Sequence, residues 1–297
     1  YALVDSEADL AYSPLLTWRH GQGEIIFCQL DLVGRVGRDP AATAIAHNLI
    51  AYLAKPLSQP PQAKTAVPLG DLARQRLALL GYAVTGDGAG LPPGLSPATQ
   101  VVVMDGADAA GVNAASAALA KFAADGGDLL VLGATPATLQ TPLFKGLRGK
   151  TIITSRGGRT VDAHPLLRGI GPQNLHWREP LTFTAIEGDA PFTSLLGGLS
   201  GIMPLGRGRL ILLQADPRVL DDFAAVEAAD AAPAEAAKIS AKWRGEKNRR
   251  RTRWHFDRLA SLVLANLGLR SSDELARRLF EPKREISFTP INKWCYL

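Results

Sequence analysis

The sequence predicts an α/β protein built on an open, doubly wound, mostly parallel sheet, and three observations predict it. Short, uniformly apolar runs such as 101–104 (VVVM) and 128–133 (DLLVLG) read as strands buried on both faces of a parallel sheet. An Ala-rich amphipathic helix, 114–124, separates them, so strand, helix and strand together take about 33 residues, the length of one parallel crossover unit. Part of the chain also repeats itself, and self-similarity at a fixed offset points to duplicated units.

The repeat is read from two segments. Residues 21–31 are GQGEIIFCQLD and residues 206–216 are GRGRLILLQAD, an offset of 185. Each is a Gly-x-Gly turn feeding a strand that ends in Gln-x-Asp. Downstream of each lies an amphipathic helix, 45–53 and 259–267, here at an offset of 214, so the second copy carries 29 extra residues between strand and helix. The same pattern also fits two similar strand–helix units of an ordinary α/β protein. If the repeat is real, residues 1–55 are the C-terminal part of a first domain, 56–62 are a Pro-rich polar linker, and 63–270 are a complete second domain with an insertion near 218–253. Residues 271–297 would then be a linker and the start of a following domain. The first residue, Tyr1, and the apolar end at Trp294–Leu297 suggest a piece of a longer protein.

Within the second domain the elements follow in order. Residues 72–80 read as a helix stopped by Gly81, a glycine able to take the left-handed conformation. Strand 101–104, helix 114–124 closed by Asp125-Gly126-Gly127, and strand 128–133 come next. Residues 151–154 and 210–213 are expected to add further strands to the sheet, and 255–267 to supply the closing helix.

Composition narrows the class. The 297 residues are 46% hydrophobic, 6% aromatic and 21% charged, as in globular proteins, and no apolar run approaches the roughly 18 residues of a membrane span. The net charge of +5 is local: residues 242–258 hold eight basic and two acidic residues, and the other 280 carry 25 against 26. The run KWRGEKNRRRTRW (242–254) interleaves charge with aromatics as nucleic-acid segments do. The neutral body and the acidic, Ala-rich stretch before it favour intramolecular or solvated pairing instead.

In such a sheet ligands gather at the carboxyl ends of the strands. Those ends are Asp105–Asp108, Gly133–Pro136, Ser155–Gly158 and Gln214–Asp216. Both Gly-x-Gly pairs precede their strands rather than follow them, and there is no phosphate-binding Gly-x-x-x-x-Gly-Lys loop, so no cofactor is expected. Two cysteines, Cys28 and Cys295, cannot build a disulfide framework or a thiolate zinc site. Cys28 stands where the second copy has Leu213, and a position filled by leucine reads as core rather than nucleophile. Ser116 and Ser155 lack a nucleophile elbow. His20, His47, His164, His176 and His255 show no compact ligand spacing, so no metal is expected. The segment HPLLRGI (164–170) reads as a shaped loop whose leucines enter the core, with a ligand-contacting His164 and Arg168 as the alternative. Trp177 either stacks on a sugar face or fills a seam in the core. Asp105 and Asp216 complete the candidate ligand contacts.

The succession FAADGGDLLVLG (122–133), HPLLRGI (164–170), GRGRLILLQAD (206–216) and LASLVLANLG (259–268) resembles the class I glutamine amidotransferase-like fold. More narrowly, it is similar to the non-catalytic modules of that fold in large bacterial glycoside hydrolases related to β-galactosidases, of the trimerisation-domain or family 2 type. The resemblance covers most of 63–270 and part of 1–55, and the tail 290–297 looks like the first strand of a following β-sandwich. It implies a catalytically silent accessory module whose partners are neighbouring domains of its own chain, and it admits a homo-oligomer, a carbohydrate ligand and an extracytoplasmic location. The amidotransferase Cys-His-Glu triad has no match, because no cysteine occupies an elbow. The competing expectations are a sugar or small-amide hydrolase using His164 with strand-end carboxylates, and nucleic-acid binding through 242–254.

Overall fold

The computed structural model describes residues 2–6, 12–20, 23–54, 63–158, 163–220, 252–253 and 255–270. The linker 56–62, the bulk of the insertion at 221–251 and the tail 271–297 lie outside the described residues, as does the basic run except Thr252 and Arg253. Contacts divide the chain into two units, residues 1–61 with 277–297, and residues 62–276.

The first unit carries a three-stranded antiparallel sheet, β1 (Ala2–Ser6), β2 (Tyr12–His20) and β3 (Gly23–Cys28), followed by helix α1 (Pro40–Leu53). Helix α1 starts sharply for two local reasons: Pro40 fits its first turn, and the Asp39 carboxylate accepts from Ala41 N and Ala42 N at 2.8 and 3.2 Å.

The second unit is built on a six-stranded sheet. Its strands are β4 (Thr65–Leu69), β5 (Gln100–Asp105), β6 (Asp128–Leu132), then after a separate pair β7 (Leu147–Arg156) and β8 (His176–Gly188), β9 (Thr193–Leu195), β10 (Ser200–Leu205) and β11 (Gly208–Leu213). The sheet order is β4-β5-β6-β11-β10-β9, parallel through the first four and antiparallel at the last two. The class is therefore α/β with a mostly parallel sheet. On the outer side of β4, Val84 bridges Ala66 and Leu269 bridges Lys64, with Lys64 N donating to Gly268 O at 3.0 Å.

Strand alternation divides the apolar residues between the faces. Val67, Leu69, Val102, Met104, Leu129, Val131, Leu210 and Leu212 form one cluster with Val112, Leu119 and Phe122 of helix α3 (Ala109–Ala124). Ala66, Val101, Val103, Leu130, Ile211 and Leu213 alternate with them and are equally buried. Helix α2 (Asp71–Leu79) packs on β4 and β5, yet its buried Ala73 and Leu77 lie outside the α3 cluster, so it takes the opposite face. A short helix, α4 (Pro136–Leu139), follows β6, and beside α2 runs α5, residues 255–266: Tyr82 Oη donates to Ser261 O at 3.0 Å. Helix α2 ends in a Schellman turn, with Gly81 at φ +71° and Tyr82 N bonded to Leu77 O at 2.9 Å.

One expected strand belongs elsewhere. Residues 151–154 lie in β7, which among the described residues pairs with β8 alone, in a two-stranded antiparallel sheet. The reason is visible along β7: Lys150, Thr151 and Arg156 are exposed, and a central parallel strand must be apolar on both faces.

The two copies of the repeat fold into hairpins of one register. In β2·β3 the pairs run from Leu15↔Cys28 to His20↔Gly23, and in β10·β11 from Ser200↔Leu213 to Leu205↔Gly208. Every residue of the first set maps onto the second by the same offset of 185.

Candidate functional site

The carboxyl ends of β5, β6 and β11 meet at one edge of the parallel sheet, and charged side chains converge there. Asp105 ends β5, Asp216 lies just beyond β11, and Arg218 joins them. Its Nη1 donates to Asp105 Oδ1 at 2.8 Å and its Nη2 to Asp216 Oδ2 at 2.8 Å, with Leu132 O a further acceptor at 3.1 Å. Local turns aim these groups. Asp105 Oδ1 accepts from Ala107 N at 2.9 Å, and Asp216 Oδ1 accepts from Arg218 N at 2.9 Å. Gly133 makes room for the pair: it sits at φ +63°, and a Cβ there would meet Arg218 Nη2 and Asp216 Oδ2 at 2.7 Å.

A second arginine lies beneath. Arg76 of α2 is buried, with Nη1 at 3.8 Å from Asp216 Oδ1 and Nη2 at 3.6 Å from Asp257 Oδ1 of α5 and 3.5 Å from Phe256 O. Burial lowers the Arg76 pKa, an effect that Asp216 and Asp257 offset only in part. Burial opposes the charge of Arg218 too, but its bonds and closeness to Asp216, and then to Asp105, outweigh it and raise its pKa. Burial pushes the Asp257 carboxyl above the usual aspartate range, against the pull of Arg76 and Arg253. The arrangement is two guanidiniums holding three carboxylates and, through them, three strands and two helices.

Gln214, the glutamine of the repeated Gln-x-Asp, closes the same edge. Its Oε1 accepts from Ala134 N at 2.8 Å, while Nε2 donates to Ala134 O at 2.9 Å and to Thr184 O at 2.7 Å. One side-chain amide thus serves three backbone groups, two on Ala134 just past β6 and one on Thr184 within β8.

The sequence-predicted residues are only partly brought together. Asp105 and Asp216 share Arg218. His164 and Arg168 belong to a loop on α5 near its C-terminal end, where Asn266 Nδ2 donates to Leu166 O and Arg168 O at 2.8 and 2.9 Å. Asp257 is nine residues earlier on that helix, about 13 Å at 1.5 Å per residue. His164 Nδ1 accepts from Leu166 N at 3.1 Å, as a turn cap, and Leu166 and Leu167 are buried. Trp177 is buried: its ring lies 5.3 Å from Phe183 and 5.5 Å from Phe256, and its Nε1 donates to Thr154 O at 2.9 Å. Its faces meet protein, which corrects the sugar-stacking alternative. Ser155–Gly158 are not an end of the parallel sheet.

Cys28 is corrected as well. It is exposed, whereas Leu213 at the equivalent place is fully buried. The difference lies in the neighbour: β11 is covered by β6, and no strand lies on the outer edge of β3 among the described residues. Arg218, Arg76 and Asp257 were not candidates from the sequence. Only Arg218 carried a signal, since it stands two residues after the repeated Gln-x-Asp. Among the described residues no group of three or more His, Cys, Asp or Glu is placed to hold a metal, and no helix is long and apolar enough to cross a membrane.

No protein-family model and no curated protein matches the chain. Solved structures give distant likenesses. A cytoplasmic protein from Salmonella typhimurium LT2 is 13% identical over 38% of this chain and 59% of its own, with a TM-score of 0.30. A second cytoplasmic protein from Salmonella typhimurium is 12% identical over 50% of this chain and 75% of its own, at 0.35. An exo-β-1,4-mannosidase from Opitutaceae bacterium strain TAV5 is 13% identical, with 72% of this chain aligned to 38% of the enzyme, at 0.31.

Proposed function

We propose that the chain is a catalytically silent structural module of a large, multidomain carbohydrate-active enzyme related to β-galactosidases. In this reading it holds one partial and one complete unit of the doubly wound, class I glutamine amidotransferase-like kind. Its work is to organise neighbouring domains or subunits rather than to turn over a substrate. The observation that carries the reading is the closed state of the strand ends. Where sheets of this class hold their ligands, Asp105 and Asp216 are occupied by Arg218, Asp257 by Arg76, and Asp108 caps α3 through Gly111 N at 2.8 Å. No described cysteine lies there, and Gln214 spends its whole amide on backbone groups. The motif order that resembles the amidotransferase-like modules supports the same reading. Chemistry would need an acid, base or nucleophile released from these partners.

The test is made on the whole protein. Cys28→Ser, alone and together with Arg218→Lys, is expected to leave glycosidase turnover unchanged, and the 297-residue chain to show no glutaminase activity. A large loss of turnover from Cys28→Ser with folding intact, or glutamine hydrolysis by the isolated chain, would overturn the reading.

A further inference from the structure

We infer that Arg76 is a latch between the two ends of the insertion, the exit of β11 and the start of α5, and makes them open and close together. The inference concerns the second unit alone and is independent of what the whole protein does. Asp216 stands just before the insertion and Asp257 just after it. Between them lies the buried guanidinium of Arg76, from α2. Its Nη1 is 3.8 Å from Asp216 Oδ1, and its Nη2 is 3.6 Å from Asp257 Oδ1 and 3.5 Å from Phe256 O. One cation on a third element therefore faces an acid from each end.

The geometry makes the two ends depend on each other. Both ion pairs are longer than the roughly 2.8 Å of a hydrogen-bonded pair, and Arg76 Nε has no hydrogen-bond partner, so the guanidinium is forked onto neither acid. An arginine keeps its charge, and a buried charge is costly without its counterions, so Arg76 needs both carboxylates where they are. Asp216 is also shared: its Oδ2 accepts from Arg218 Nη2 at 2.8 Å, while Arg218 Nη1 donates to Asp105 of β5 at 2.8 Å. If the start of α5 moved out with Asp257, Arg76 and Arg218 would be left competing for Asp216. The exit of β11 would then loosen, since beyond Asp216 it is held by short turn bonds, Val219 N to Asp216 O at 3.2 Å and Leu220 N to Pro217 O at 3.0 Å. The same holds in reverse, for Asp257 would then face Arg76 alone across the gap that Asp216 had left.

Native-state hydrogen exchange in the 297-residue chain tests the latch by changing one end and reading the other. Val219 and Leu220 report on the exit of β11, Leu259 and Ala260 on the start of α5, and Leu212 and Leu267 serve as references. Asp257→Asn should quicken exchange of Val219 and Leu220 at least about threefold, with Leu212 unmoved. Asp216→Asn should do the same to Leu259 and Ala260, with Leu267 unmoved. In Arg76→Met the latch is gone, and adding Asp257→Asn should no longer reach Val219 and Leu220. The two single carboxamide variants decide the matter if Arg76→Met does not fold. The proposal is overturned if each substitution quickens its own end only, if the far-end effect survives in Arg76→Met, or if Leu212 quickens as much as the ends, the mark of a general loss of stability.

Discussion

Gln214→Leu is the sharpest probe of the closed strand edge. The substitution keeps the bulk of a side chain that is almost wholly buried and removes its three hydrogen bonds. Ala134 N, Ala134 O and Thr184 O are then left facing an apolar group. Each buried backbone group without a partner costs about 1–3 kcal/mol, and the leucine returns about 1–2 kcal/mol by its own burial. The net expectation is a loss of about 3 kcal/mol, or roughly a hundredfold in the folding equilibrium of the second unit. The molecule carries its own control: Gln29, the same residue of the same motif in the first copy, is exposed, so Gln29→Leu should change stability by less than about 0.5 kcal/mol. Urea unfolding read by hydrogen exchange at Leu130 and Leu212 separates this unit from the other. A loss below about 1 kcal/mol for Gln214→Leu, or equal losses for both variants, would refute the reasoning.

Three further outcomes test the cluster around it. Arg218→Met leaves Asp105 and Asp216 facing each other without their shared cation and should cost about 2–3 kcal/mol in urea unfolding, toward the low end because the guanidinium is partly exposed. Gly133→Ala forces a left-handed residue and a methyl group against Arg218 and Asp216, and should lower stability by about 2 kcal/mol in the same assay. Asp257 binds its proton more tightly folded than unfolded, so its contribution is fully present below the ordinary aspartate pKa and fades as pH rises through the folded value. In Asp257→Asn the melting temperature of the second unit should accordingly fall less between about pH 4 and pH 7 than in the wild type.

What the sequence revealed of the fold depended on how far each signal reached along the chain. Strands β5, β6 and β11 were legible because burial on both faces leaves an unbroken apolar run. Strand β4, TAVPL, was hidden by Pro68, which is tolerated because its amide position points to the outer edge, where the bridge made through Ala66 has already ended. Strands β7 and β8 were obscured by charged residues on their exposed side, and β10 by Gly201 and Pro204. At the site, Asp105 and Asp216 were legible as strand ends. Arg76 was not, because nothing local to α2 announces acids that lie 140 and 181 residues away. Cys28 shows the converse: its residue type speaks for a core, but burial belongs to whatever strand lies beside it.

The bridge between Lys64 and Leu269 sets how the second unit is hung in its chain. The polypeptide arrives and departs within one strand spacing, about 5 Å. Some two hundred residues of sheet and helices therefore lie between two backbone positions that are neighbours. Insertions among them leave the spacing of Lys64 and Leu269 untouched. Tension along the chain meets the Lys64–Leu269 bridge, with its Lys64 N–Gly268 O hydrogen bond, before it reaches the sheet. The same geometry makes residues 64–269 suited to circular permutation, with the old ends joined by a few residues and new ones opened at an exposed turn.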